Sequence, residues 1–155
     1  MKMIIRNITI LVLIFAMNVT VFANTDDLSK VVDDSLLTNE KCSEISLNAR
    51  GNILNQGTAK ITDNGNGSVN VYGAVYGSVT CDKLILKMTL QRYSNGSWYN
   101  IRTFSDTAYN TALLTKSYTV QVTRGYHYRV KAACVAQDGS ISESKTPITN
   151  GVLIE

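Results

Sequence analysis

Between Ser117 and Ser144 apolar and polar residues alternate with period two, and no other stretch constrains the fold as tightly. Tyr118, Val120 and Val122 fall on one face, with Thr119, Gln121 and Thr123 on the other. Arg124-Gly125 marks a turn, after which Tyr126, Tyr128, Val130, Ala132 and Cys134 share a face opposite His127, Arg129 and Lys131. Gln137-Asp138-Gly139-Ser140 supplies a hairpin, because Asp and Gly tolerate the positive φ that tight hairpins require. A helix would place its apolar residues three and four apart. Strict alternation instead predicts strand, turn, strand, turn, strand in antiparallel β structure.

The preceding chain reads the same way. After an irregular run from Leu47 to Gln56, Thr58–Thr62 reads as a first strand with Ala59 and Ile61 inward, and Asp63-Asn64-Gly65-Asn66-Gly67 is the densest turn signal. Ser68–Thr80 sets Val69, Val71, Val75 and Val79 on one face with Gly73 and Gly77, glycines that invite a bulge or a close neighbour. Asp82–Tyr93 places Leu84, Leu86, Met88 and Leu90 inward and Lys83, Ile85, Lys87 and Thr89 outward. Ser94–Ser97 closes a hairpin onto Trp98–Phe104, Ser105–Thr111 reads as a polar loop, and Gly151–Ile154 adds a short edge strand beyond Pro147. Seven or eight strands with short turns and no amphipathic helix predict an all-β domain over residues 47–155. The expected form is a single antiparallel β-sandwich, immunoglobulin- or fibronectin type III-like. A small barrel is the competing architecture. Tyr128, just past a tight turn, fits the corner tyrosine of such sandwiches.

The first 23 residues carry the marks of a secretory signal peptide: Lys2 and Arg6, a predominantly apolar run from Ile8 to Ala16, and Val21-Phe22-Ala23 before a cleavage point. A bilayer-spanning helix needs about 20 apolar residues, and Asn18 and Thr20 interrupt this run before that length. The expected product is a secreted, extracellular chain whose membrane contact ends with signal cleavage. The cleavage point is followed by Asn24 rather than by a Cys for lipid attachment, and Gly151–Glu155 carries no hydrophobic tail, so neither a lipid nor a wall anchor is expected.

Residues 24–46 read as an acidic flexible leader. Asn24–Glu44 holds six acidic residues against Lys30 and Lys41, a net of −4, whereas the chain from Ile45 onward has a net of +5. A mildly basic domain behind an acidic leader is compatible with an anionic partner. Nucleic acid is a poor match for an exported domain of that charge. The cysteines, Cys42, Cys81 and Cys134, are odd in number, so one internal bridge at most is available. Cys81–Cys134 is the pair that neighbouring strands could bring together. Against it, Cys134 lies in phase with the apolar set and Cys81 with Lys83 and Lys87, so the pairing needs a bulge.

Three blocks of residues resemble a family. They are Arg50-Gly51-Asn52 with Leu54-Asn55 and Gly57-Thr58-Ala59; Leu90-Gln91-Arg92-Tyr93 with Asn95-Gly96-Ser97-Trp98; and Gly125-Tyr126 with Tyr128-Arg129-Val130. Together they look like an uncharacterised family of small secreted β-sandwich proteins of Gram-positive, clostridial or bacillus-type bacteria. The resemblance implies a fold over roughly Arg50–Ile154 and no established activity, and Cys81 and Cys134 depart from its pattern.

Catalysis has little to build on. His127 is the sole histidine, and Cys134, seven residues along the same strand, points to the opposite face. The acidic residues of the domain form no pair suited to glycoside hydrolysis. In Asp63–Gly67, glycines occupy the alternate positions where a calcium loop needs oxygen ligands. No metal-binding spacing and no cofactor motif are present. The remaining candidate is a ligand-binding face made of Tyr72, Tyr76 and Trp98 with Lys83, Lys87, Arg129 and Lys131. It implies a non-catalytic module for an extracellular polymer, glycan or protein. A secreted effector or inhibitor acting by protein contact is the alternative.

Overall fold

The computed structural model describes residues 37–155, so the expected signal peptide and all but the last residues of the leader lie outside the described region. The described chain is all-β. Its strands are β1 (Leu37–Thr38), β2 (Cys42–Asn48), β3 (Leu54–Gly65), β4 (Ser68–Ser94), β5 (Ser97–Gln121), β6 (Tyr126–Asp138), β7 (Ile141–Lys145) and β8 (Gly151–Ile154).

These eight strands form one curled, mixed sheet in the order β1-β8-β6-β4-β3-β2, with β5 paired to β4 and β7 to β6. Every pairing is antiparallel except β1 with β8, where Leu37 lies opposite Gly151. The expected purely antiparallel pairing is corrected there.

The length of β4 organises the curl. Its first part, Ser68–Tyr76, runs between β3 and the end of β5; its second part, Lys83–Arg92, runs between β6 and the beginning of β5. Between them the register with β5 slips, so that Tyr76 faces Leu113 while Cys81 faces Thr111. Alternation fails at this corner, and Val79, expected inward, is 47% exposed. The slip also carries Cys81 into the core, where its thiol donates to the carbonyls of Ile53 and Val79.

The two halves turn their apolar faces toward each other. Val69, Val71 and Val75 come from one, Leu84, Leu86, Met88, Leu90, Val130 and Ala132 from the other, all fully buried. Contact is close enough to require glycine: a Cβ on Gly57 would lie 2.9 Å from the Cys134 sulfur, and one on Gly73 would lie 2.7 Å from the Met88 sulfur. At the β5 margin, Phe104 stacks on Tyr118 at 4.2 Å, and the Tyr118 hydroxyl donates to Asp106. Tyr128 is buried, and its hydroxyl donates to the Thr123 carbonyl at 2.8 Å across the β5–β6 turn.

The hairpins match their turn residues. Asn66-Gly67 and Asn95-Gly96 all have positive φ, as two-residue turns of this hand require. Asp63 accepts a hydrogen bond from the Gly65 amide and so serves the first turn.

Three expectations need correction. Cys42–Ser46, assigned to the leader, belongs to β2, whose polar residues hid a strand with Ser43 inward and buried opposite Ile61. Ser105–Thr111, expected as a loop, continues β5, because backbone pairing with Lys83–Lys87 does not depend on side-chain polarity at a sheet margin. All three cysteines are free, so the Cys81–Cys134 bridge is absent. Cys134 lies between the halves and donates to Ala74, whereas Cys81 sits at the β4 corner against Ile53.

Candidate functional site

The outward face of the second half collects most of the candidate residues. Alternation along β4 turns Lys83, Lys87, Thr89 and Gln91 away from the core, and pairing with β6 sets Lys131 beside Thr89 and Arg129 beside Gln91. On the other flank, β5 adds Tyr109 opposite Lys83, Thr103 opposite Thr89 and Asn100 opposite Gln91.

Arg129 and Trp98 form the fixed end of this face. The guanidinium lies over the indole at 4.1 Å, and its Nε donates to Gln91 Oε1 at 2.8 Å. Gln91 in turn donates from Nε2 to Asn100 Oδ1 at 2.8 Å, so a chain of polar contacts crosses three strands. Trp98 also packs against Tyr93 in a tilted pair, the ring centres 5.1 Å apart and the planes at 50°, and covers Gly151, where an added Cβ would meet the ring at 2.6 Å. The indole Nε1 is buried without a hydrogen-bond partner, so ring and cation contacts rather than hydrogen bonding hold the ring.

Beyond this end the face is basic. Lys87 and Lys131 are exposed and diagonal to one another across β4 and β6, which sets them about 7–8 Å apart. Lys83 lies four residues further along β4, about 13 Å by strand rise, with its ammonium 5.9 Å from the centre of the Tyr109 ring. A shallow depression lined by Lys87, Thr89, Gln91, Asn100, Lys131 and Ala133 runs between the two ends. No acidic residue occupies an outward position of β4, β5 or β6 along this face. His127 is on the same side at the β8 margin, opposite Leu153, and burial lowers its pKa.

Tyr72 and Tyr76 are elsewhere. They lie on the outward face of the first half, Tyr72 between Lys60 and Ser117, Tyr76 between Gln56 and Leu113. Lys60 on that face is paired to Glu44 at 3.0 Å. The curl of β4 therefore separates the two tyrosines from Trp98 and the four cations. Trp98 itself is not a bare platform, since Arg129 covers its ring.

Gln91, Asn100, Thr89 and Thr103 were not singled out from sequence. Their signal was the two-residue Asn95-Gly96 turn, which fixes Gln91 opposite Asn100. Beyond that pair a bulge moves Leu90 to Arg102 and leaves Ile101 as the extra residue, which hides the Thr89–Thr103 pair from any simple count.

No protein-family model matches the chain, and no curated protein matches it. Among solved structures it is similar to Spo0M, a sporulation control protein from Bacillus subtilis, at 12% identity and a TM-score of 0.33, over 75% of this chain and 50% of that one. The chain thus spans half the length of that protein.

Proposed function

We propose that this chain is a secreted, non-catalytic binding module whose ligand is an extracellular anionic polymer, with Lys83, Lys87, Lys131 and Arg129 as its contact residues. The observation that carries the reading is a line of cations on one sheet face with no carboxylate among them. Rows of fixed positive charge at spacings of about 7–13 Å favour an extended ligand bearing repeated anions over a single small one. Gln91, Asn100 and Thr89 add neutral donors and acceptors for hydroxyl groups between those charges.

We read the curled sheet as a β-sandwich of immunoglobulin-like kind, supported by the facing halves and the Tyr128–Thr123 bond. The non-enzymatic reading rests on the dispersal of reactive groups. Cys134 is buried between the halves while His127 faces outward. Secretion rests on the amino-terminal sequence.

The test is retention of Asn24–Glu155 on an anionic cell-wall polymer at low and moderate salt, beside a K83A/K87A/K131A variant. Exposed charge contacts of about 0.5 kcal/mol each predict roughly tenfold weaker binding for the variant. Binding should fall as salt rises. Retention that is indifferent to both changes would remove the proposal.

A second reading, an effector acting on another protein, is favoured by β5. Among the described residues its outer margin has no strand partner, and it carries exposed Tyr99, Ile101, Tyr109 and Leu113. Binding of a protein there would persist at moderate salt and respond to Ile101→Lys, which leaves the basic face intact.

A further inference from the structure

The described chain begins beside the basic face. Leu37 and Trp98 both crowd Gly151: an added Cβ there would lie 2.9 Å from Leu37 Cδ2 and 2.6 Å from the indole. The direction of β1 is also fixed. β1 is parallel to β8, β8 is antiparallel to β6, and Ile148 bridges to Lys131. The amino-terminal end of β1 therefore points the way β6 runs from Arg129 toward Lys131.

The sequence that precedes Leu37 is complementary to that face. Asn24–Leu36 holds Asp26, Asp27, Asp33 and Asp34 against Lys30, a net of −3. Its 13 residues reach about 43 Å when extended. The distance to be covered, from Arg129 to the level of Lys83 opposite Gln137, is eight residues of strand, about 26 Å. Opposite charges, sufficient reach and a start at the correct end come together.

We propose that the acidic segment Asn24–Leu36 docks on the basic face of its own chain, over Lys131 and Lys87, and competes there with an anionic ligand. The competition rests on reading that face as the anion-binding surface; the docking itself does not. The segment acts as an intramolecular ligand at high effective concentration, so it holds the face without high intrinsic affinity. An external polyanion displaces it when its own repeated contacts outnumber four aspartates.

Two measurements on Asn24–Glu155 test this. Zero-length carbodiimide cross-linking, mapped by mass spectrometry, should join Asp33 or Asp34 to Lys131 or Lys87, and the products should fade as salt rises. Cross-links spread equally over Lys60, Lys116 and Lys145, or none at all, overturn the docking. The second measurement uses heparin as the probe polyanion. Asp26, Asp27, Asp33 and Asp34→Asn together should raise affinity severalfold, and the gain should vanish when Lys87→Ala and Lys131→Ala accompany them. Equal affinity of the two leaders overturns the competition. Cross-links at the expected lysines with no heparin binding by either chain would uphold the docking and refute the anion-binding reading of the face.

Discussion

Arg129 lies over Trp98, its guanidinium carbon 4.1 Å from the centre of the ring, and the same guanidinium donates to Gln91. The two residues come from β6 and β5, with β4 between them, so the stack ties three strands of one face. Cation–π contacts contribute from about 0.5 kcal/mol when exposed to about 2 when desolvated. A double-mutant cycle of Trp98→Ala and Arg129→Ala, read by urea unfolding, should give a coupling of about 1 kcal/mol. Strictly additive effects would mean that Trp98 acts only through Tyr93 and Gly151.

Gly57 and Cys134 meet at one of the close approaches between the halves. A methyl group on Gly57 would stand 2.9 Å from the sulfur and 3.0 Å from the Cβ of Cys134. Gly57→Ala should destabilise by about 1–3 kcal/mol through overpacking. Cys134→Ala on that background should recover part of the loss, because the sulfur goes while the Cβ stays. Urea midpoints of the four proteins decide it, and a neutral Gly57→Ala would show that the halves can part without cost.

Glu143 clasps the loop before β3. Its carboxylate accepts hydrogen bonds from the amides of Leu54, Asn52 and Ile53 at 2.8, 2.8 and 3.1 Å. These bonds, led by that from Leu54, hold its pKa below the ordinary 4.5. A depressed folded-state pKa gives stability that is present above the unfolded value and is lost as pH falls through the folded one. The urea midpoint should therefore drop below about pH 4.5 more steeply for the native sequence than for Glu143→Gln. Parallel pH curves for the two proteins would contradict the clasp.

The thiols should differ in reactivity. Burial raises the pKa of Cys81 and pushes that of Cys134 up to about 12, so neither supplies thiolate near neutrality. Cys42 is half-buried near the beginning of the described chain, with Thr62 Oγ1 3.6 Å from its sulfur. Iodoacetamide under native conditions should label Cys42 first, with Cys81 and Cys134 reacting after unfolding. Fast labelling of Cys134 would place it outside the layer in which it is found here.

Alternation was enough to read β6 almost in full: Tyr128, Val130, Ala132 and Cys134 are buried and Lys131 is exposed. It also gave the phase of Lys83 and Lys87 on β4, and so the basic character of one face. Period-two patterning reports which side of a strand is apolar, because that side must leave water. Turn residues were legible for a similar local reason, since Asn95-Gly96 and Asn66-Gly67 adopt the positive φ that their chemistry permits.

Which strands are neighbours, and where a strand passes from one half to the other, depend on contacts distant in sequence. Residues 77–80 look like continued strand, yet the corner they form exposes Val79 and buries Cys81, because β4 there leaves one half of the sheet and joins the other. The same corner sends Tyr72 and Tyr76 to a face away from Trp98. β2 escaped notice because Ser43, one of its inward residues, is polar, and only its pairing with Ile61 makes it part of the fold. The β class, the turns and most of the inward set could be read from the residues alone, since these follow from local conformation and removal of apolar side chains from water. Tertiary structure alone decided the curl, the free thiols and the gathering of Arg129, Lys131, Lys87 and Lys83, since register and layer exchange are settled by packing between segments far apart in the chain.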